Sequence, residues 1–174
     1  AGPHWGLSTA EWYKAVIPQD QTLYTERHTQ TIDYGDAPDP YYPTRIVSDG
    51  ASHVILPGFQ LGTLIDAEPD GQPTADAMGD DVDGSGDEDG VLLLTPLVPG
   101  QDLTIRVTAT AAGVLNAWLD LNADGDWDDA HEHFAVDQSL AAGPNDLLYT
   151  LPVTAQPASS TFARFRFSSV GGLS

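Results

Sequence analysis

Leu103-Thr-Ile-Arg-Val-Thr-Ala109 is the most regular stretch of this chain, with an apolar side chain at every second position. Successive side chains of a β-strand point to opposite faces, so this alternation predicts a strand with one face in a core. Similar short runs lie on both sides of it, separated by turn-forming Gly and Pro residues. We interpret the following runs as strands: 53–61 (broken at Pro57-Gly58), 91–95, 103–109, 113–121, 132–136, 147–151 and 161–167. The pattern predicts an all-β domain, and within that class a β-sandwich of jelly-roll or Ig-like type.

The overall charge narrows the classes of partner. The chain has 26 Asp and Glu against 6 Lys and Arg, for a net charge of −20. Such a surface argues against nucleic acid and anionic membranes, which attract basic proteins. Ten of the acids lie in 66–89 and six in 120–132, and this concentration favours cation-binding loops over the evenly charged surface of a halophilic protein. There is no cysteine and no apolar run long enough for a membrane span.

The clearest motif is Asp120-Leu-Asn-Ala-Asp-Gly-Asp-Trp-Asp-Asp-Ala-His-Glu132, which follows a predicted strand. It has oxygen-bearing side chains at alternate positions and Gly125 at the sharp turn, which is the spacing of a calcium loop. The twelfth position is His131, and imidazole is a poor calcium ligand, so we expect Glu132 to close the site. Trp127 is expected to cover the loop. The predicted ligands are Asp120, Asn122, Asp124, Asp126 and Glu132.

A second acidic cluster is Gly79-Asp-Asp-Val-Asp-Gly-Ser-Gly-Asp-Glu-Asp-Gly90, within a stretch (63–90) that has few core-forming side chains. Long loops without regular structure are usually functional or disordered. Carboxylates this close repel one another and raise one another's pKa, and a bound cation would relieve that repulsion. We interpret the cluster as a second calcium loop; the alternative is a disordered acidic linker. Three acids upstream could close the same site: Asp66, Glu68 and Asp70.

Several fragments, taken in order over 33–168, resemble the GEVED domain of bacterial secreted and surface proteins. The fragments are Asp33-Tyr-Gly-Asp-Ala-Pro38, Gly50-Ala-Ser-His53, Leu61-Gly62 before Asp66 and Glu68, Gly79-Asp-Asp81 leading to Asp87-Glu-Asp-Gly-Val91, Trp118 to Trp127 with Glu132, and Ala163-Arg-Phe-Arg166. The resemblance implies a calcium-associated β-sandwich without catalysis, in adhesins and other extracellular proteins. It points to the ligands of 120–132 and, in the second cluster, to Asp80, Asp81, Asp87 and Asp89.

Two features depart from the family pattern. His131 stands where the family usually has Gly, and the chain stops at Ser174, before the Gly-Glu-Val-Glu-Asp-Tyr segment that names the family. The last strand is therefore cut away, disordered or supplied by another chain. An unpaired sheet edge invites the addition of a strand from a partner.

Residues 1–32 are unlike the rest and are interpreted as an N-terminal arm, followed by the calcium-binding β-sandwich domain over 33–174. Ser8 and Glu11 have the spacing of a helix capping box, which predicts a short helix over 9–16. Residues 22–29 have the pattern of an extended strand. The arm could pack on its own domain, or it could reach a neighbouring subunit and exchange a strand with it.

These observations predict an extracellular structural or adhesive module of a bacterial surface protein or filament, stabilised by Ca²⁺. Its partners would be other domains or subunits of a surface assembly. The alternative is a calcium-assisted module that binds a glycan or peptide through exposed Tyr41 and Tyr42. Nucleophile-elbow and phosphate-loop patterns are absent, and we do not expect an enzyme.

Overall fold

The computed structural model describes residues 31–79, 88–156 and 161–173. The predicted helix over 9–16, the predicted strand over 22–29 and the predicted ligands Asp80, Asp81 and Asp87 lie outside the described residues. No helix in the described ranges is long and apolar enough to cross a membrane.

The described part of the chain is all-β, as the alternating pattern predicts, and its strands form three antiparallel sheets. The strands are β1 (Ile32–Tyr34), β2 (Ser52–Val54), β3 (Val91–Leu93), β4 (Asp102–Ala109), β5 (Gly113–Leu119), β6 (His133–Leu140), β7 (Gly143–Thr150) and β8 (Ala163–Ser168). Two short 3₁₀ turns, Ile46–Ser48 and Glu88–Gly90, lie between them. The predicted boundary between arm and domain, after residue 32, falls within β1.

The three sheets differ in size and composition. β1 and β2 form a two-stranded sheet, and the two larger sheets have the strand orders β3-β4-β7 and β6-β5-β8. β4 and β7, which are separated in the chain by β5 and β6, pair along their whole length, with Arg106 opposite Asp146. The Arg106 guanidinium donates to the Asp146 carboxylate at 2.7 Å, on the exposed face of this sheet.

One apolar core is shared by the two larger sheets. Leu103, Ile105 and Val107 of β4 are fully buried, which confirms the alternation read from the sequence. Leu115 and Ala117 of β5 are fully buried in the same cluster. Burial of alternate residues from both strands is what fixes each strand's face toward the core.

The other face of β5 is buried as well, but it is polar. Asn116 lies opposite a bulge in β6, where its Oδ1 accepts from the amide of Asp137 at 3.1 Å. Trp118 stacks on His133 with ring centroids 4.2 Å apart. These contacts fix the register of β5 against β6, and therefore the position of the loop that joins them.

Candidate metal centre

The loop 120–132 joins the end of β5 to the start of β6, two antiparallel neighbours. It is a turn between strands, as the sequence predicts. The amide of Leu119 donates to the carbonyl of Glu132 at 2.9 Å and extends the ladder to the base of the loop. Asp120 and Glu132 both lie at this base, and both are buried, with exposures of 0% and 1%.

Asp120 is the centre of the loop's hydrogen bonds. Its Oδ1 accepts from the amides of Asn122 at 3.2 Å and Ala123 at 2.6 Å, and its Oδ2 accepts from the amide of Gly125 at 3.2 Å. Positive φ angles at Ala123 (60°) and Gly125 (98°) turn the backbone so that these amides point inward. A carboxylate that follows a strand and precedes a tight turn can collect its neighbours' amides in this way.

Tyr42 supplies the fourth donor, which sequence reasoning did not identify. Its hydroxyl donates to Oδ2 of Asp120 at 2.5 Å, and only 4% of the residue is exposed. Burial, and then the hydrogen bond to the Asp120 carboxylate, raise the pKa of Tyr42 well above its usual range. The prediction of an exposed Tyr41–Tyr42 pair is therefore wrong for Tyr42, because the segment between β1 and β2 packs the Tyr42 ring against Trp127 of the loop 120–132, whereas Tyr41 is 69% exposed.

Glu132 closes the loop by hydrogen bonds at both oxygens. Oε1 accepts from the amide of Leu121 at 2.8 Å and Oε2 from the amide of Asp129 at 3.2 Å. Burial raises the pKa of Glu132, and the charges of Asp120 and Asp124 add to that effect, although the two amides oppose it. The net direction is upward, so the effect of burial and of the neighbouring acids on the pKa of Glu132 exceeds that of the two amides.

The tip of the loop brings together a further group of oxygens. Asn122 donates through Nδ2 to Asp124 Oδ2 at 2.9 Å and to Asp129 Oδ2 at 2.6 Å. Asp129 was not among the predicted ligands, and its place in this group depends on the return of the chain toward β6. Asp126, which was predicted, accepts at Oδ1 from the amide of Asp128 at 3.0 Å and is exposed.

His131 and Trp127 have structural contacts. His131 is exposed and has φ = 78°, a left-handed conformation that glycine adopts with least strain. Its carbonyl accepts from the hydroxyl of Tyr149 at 2.9 Å. Trp127 is half-buried, lies 4.6 Å from the ring of Tyr42 and carries the guanidinium of Arg164 at 4.3 Å on its face. It packs beside the loop, against the tyrosine that contacts Asp120.

The donor set of this loop fits a hard divalent cation, since carboxylate and amide oxygens are calcium's usual ligands. The side chains that would hold it are Asp120, Asn122, Asp124, Asp129 and Glu132. As described, these oxygens are engaged by amides, by Tyr42 and by the Asn122 side chain, and within the described ranges no three carboxylates or imidazoles converge closely enough to hold an ion. An ion would therefore replace the Asn122 amide hydrogens as the positive partner of Asp124 and Asp129.

Of the second cluster, Asp89 is the one predicted ligand within the described residues. It accepts from the amide of Thr63 at 2.8 Å, from that residue's hydroxyl, and from the amide of Leu64 at 3.4 Å. Although partial burial raises the pKa of Asp89, these hydrogen bonds lower it more. As described, Asp89 ties the 3₁₀ turn before β3 to the chain near residue 63.

Of the sequence fragments quoted above, the family comparison supports those that lie within residues 114–173. Residues 114–173 match the family model of the GEVED domain. The match confirms the predicted resemblance over that part of the chain. The matched residues include β5 from its second residue, the loop 120–132, β6, β7 and β8. The loop from Asp120 to Glu132 therefore lies within the part of the chain that matches the GEVED model. Searches of curated proteins and of solved structures found no significant match.

Proposed function

We propose that this chain is a calcium-stabilised structural or adhesive module of an extracellular assembly. The observation that carries the proposal is the pair of buried acids, Asp120 and Glu132, at the base of an acid-rich hairpin. Burial together with the charges of Asp120 and Asp124 raises the pKa of Glu132. A divalent cation at the loop tip would offset that charge, and its oxygen ligands are already on one short hairpin.

The architecture that we propose for the module is a β-sandwich. Support comes from the single core to which β4 and β5 contribute, one strand from each of the larger sheets. The tip of 120–132 then lies at one end of the two sheets, where a bound ion would cross-link the β5–β6 hairpin. Because the ion binds the folded form, it stabilises the domain by mass action.

A structural role for calcium is consistent with the strong negative charge of the chain. With a net charge of −20 the isolated chain repels itself, and calcium at extracellular concentrations would reduce that repulsion. We propose a location at the bacterial cell surface, with other domains or subunits as partners and no catalysis of its own. Stiffening of the domain would then be the contribution of calcium to its function.

Thermal unfolding in calcium and in chelator tests this proposal, with two loop variants as a matched pair. Asp124→Asn removes a proposed ligand, whereas Asp128→Asn removes the same charge from an exposed position of the same loop. We expect calcium to raise the melting temperature of the wild type and of Asp128→Asn, and to raise that of Asp124→Asn less. Equal melting temperatures of the wild type in calcium and chelator would reject the proposal.

A second function, binding of an extended peptide, is favoured by the groove beside β8. β8 pairs with β5 on one side, and within the described residues no strand pairs with its other edge. A cavity of about 550 Å³ is lined by β8 and by residues that include Leu61 and Val91. Arg166 lines it and donates to His53 Nε2 at 3.0 Å. A strand with apolar and acidic side chains suits this groove by shape and charge.

Strand addition could come from a partner or from another copy of this chain. Light scattering across a concentration series in calcium separates these cases, since exchange between copies requires dimers or larger species at high concentration. If the chain stays monomeric at the highest concentration, exchange between copies is rejected. Arg166→Gln should then weaken capture of an acidic β-forming peptide, and Arg106→Gln, on an exposed strand face, is the control.

A further inference from the structure

Glu68 is a buried acid outside the loop 120–132, and among the described residues hydrogen-bond donors reach only one of its two oxygens. It is 7% exposed, and its Oε2 accepts from the amide of Tyr34 at 3.0 Å. Its own amide donates to the carbonyl of Ile32 at 3.0 Å, so both bonds fix the residue against β1. Oε1 is buried, and no donor in the described part of the chain reaches it.

A second carboxyl group lies against this oxygen-rich position. The side chains of Asp66 and Glu68 are in contact, and Asp33 adds a further negative charge from β1. Ionised carboxylates accept hydrogen bonds and cannot donate them, so two of them cannot satisfy each other. Burial, followed by the contact with Asp66, raises the pKa of Glu68 to about 8. The geometry therefore holds two acids together and leaves one buried oxygen without a positive partner.

We propose that Glu68 and Asp66 bind a calcium ion, which is coordinated by Glu68 Oε1. Carboxylates completed by backbone carbonyls and water are ordinary ligands for this cation. The site shares no residue with the loop 120–132. Asp70, the other upstream acid, is not part of it, because its Oδ1 already accepts from the amides of Ile46 at 2.8 Å and Gly71 at 2.9 Å.

The alternative to a calcium ion is a proton shared between the two carboxyl groups. Calorimetric titration with calcium chloride distinguishes the ion from the proton. The proteins compared are the wild type, Glu68→Gln, Asp66→Asn and Asp76→Asn. Asp76 is exposed in the same segment, so its variant removes one charge without touching the pair. We expect Glu68→Gln and Asp66→Asn each to lose one calcium equivalent, or to bind it more than about tenfold more weakly, while Asp76→Asn binds as the wild type does.

The melting temperature in chelator shows whether a lost equivalent reflects unfolding. With a pKa of about 8, Glu68 without calcium is mostly protonated at neutral pH, and glutamine is a neutral side chain of the same size. In chelator Glu68→Gln should therefore melt no lower than the wild type, while calcium should stabilise it less. The same stoichiometry and affinity in wild type, Glu68→Gln and Asp66→Asn would overturn the proposal and assign the pair a proton. This outcome can occur while Asp124→Asn still weakens binding, so the loop and the Glu68 site succeed or fail separately.

Discussion

Asp120 and Glu68 are both buried acids next to a strand, Asp120 after β5 and Glu68 against β1, yet the protein provides them with different numbers of hydrogen-bond donors. Asp120 accepts from three amides of its own loop and from the hydroxyl of Tyr42. Glu68 accepts from one amide, that of Tyr34, and its second oxygen has no donor among the described residues. The difference lies in the local backbone, since the turn after Asp120 points successive amides at it, whereas the chain around Glu68 does not.

The comparison separates two ways in which calcium can act on one domain. The loop 120–132 has enough internal hydrogen bonds to keep its shape, so an ion there adds to an existing structure. The pair Asp66–Glu68 has a buried oxygen that no donor among the described residues reaches, and an ion or a proton would satisfy it. Calcium should therefore matter more for local order at Glu68, and Asp120 should matter more for stability in the absence of calcium.

The largest expected effect is that of Asp120→Ala, which tests the self-sufficiency of the loop. Removal of the carboxylate leaves Tyr42 and three amides without an acceptor in a buried place, so we expect a loss of about 3–5 kcal/mol. Urea unfolding in chelator measures it without any contribution from calcium. Asp126→Ala, at an exposed position of the same loop, should cost less than about 1 kcal/mol. Similar losses for the two variants would show that Asp120 is not the loop's centre.

Tyr42→Phe tests the hydrogen bond that reaches the Asp120 carboxylate from the segment between β1 and β2. The substitution keeps the ring between Trp127 and Phe162 and removes the hydroxyl that donates to Asp120. Hydrogen bonds to charged groups are worth about 1.5–3 kcal/mol, which is the expected loss of unfolding free energy. Tyr41→Phe is the neighbouring control and should change stability by less than about 0.5 kcal/mol. An equal effect of the two would refute the role of Tyr42.

A smaller effect, of opposite sign, is expected at the end of the loop. His131 has a left-handed conformation (φ = 78°) that costs an L-residue about 1–2 kcal/mol. Glycine avoids this cost, but it loses more conformational entropy on folding, which offsets part of the gain. His131→Gly should therefore stabilise the folded protein by up to about 1 kcal/mol in urea unfolding. His131→Ala, which keeps a Cβ, should not. Destabilisation by His131→Gly would mean that the imidazole has a contact of its own.

The smallest effect concerns the β1–β2 hairpin that supports Glu68. His53 pairs with Asp33 across this hairpin, and burial, followed by the charges of Arg166 and Arg164, lowers its pKa to about 4. The pKa of His53 is lower in the folded protein than in the unfolded chain, where it is about 6.5. At pH values above about 6.5 this difference costs no stability, whereas protonation of the unfolded chain destabilises the folded protein as the pH falls from about 6.5 toward about 4. An NMR titration should give about 4 in the folded protein and about 6.5 in urea. A folded value near 6.5 would show that the hairpin does not bury His53 against β8.

The sequence predicts most of the fold because burial of alternate residues is a local signal. Leu103, Ile105 and Val107 lie in the core as their spacing requires. The loop 120–132 is likewise predicted as a strand-to-strand turn from its Asp, Asn and Gly residues. Tyr42 could not be predicted as a donor to Asp120, because the two are 78 positions apart and only the packed structure joins them.

The other differences between the sequence prediction and the structure concern side chains whose partners lie several positions or more away in the sequence. The EF-hand-like spacing selects Asp126, whereas the loop's return toward β6 places Asp129 against the Asn122 amide. The sequence likewise indicates only that Asp66 and Glu68 could close the site of the acidic cluster 79–90, most of which lies outside the described residues. The structure adds the hydrogen bonds of Glu68 to Ile32 and Tyr34, which no local pattern in 66–70 indicates.

Amide hydrogen exchange measured by mass spectrometry, with calcium and with chelator, tests the central claim most directly. The account predicts that calcium slows exchange in 120–132 and in 64–70, with the larger change in 64–70. Peptides from the core strand β4 should exchange slowly under both conditions and serve as the internal reference. Protection of 120–132 alone would remove the Glu68 site and keep the loop. Identical exchange in both regions with and without calcium would contradict the account as a whole.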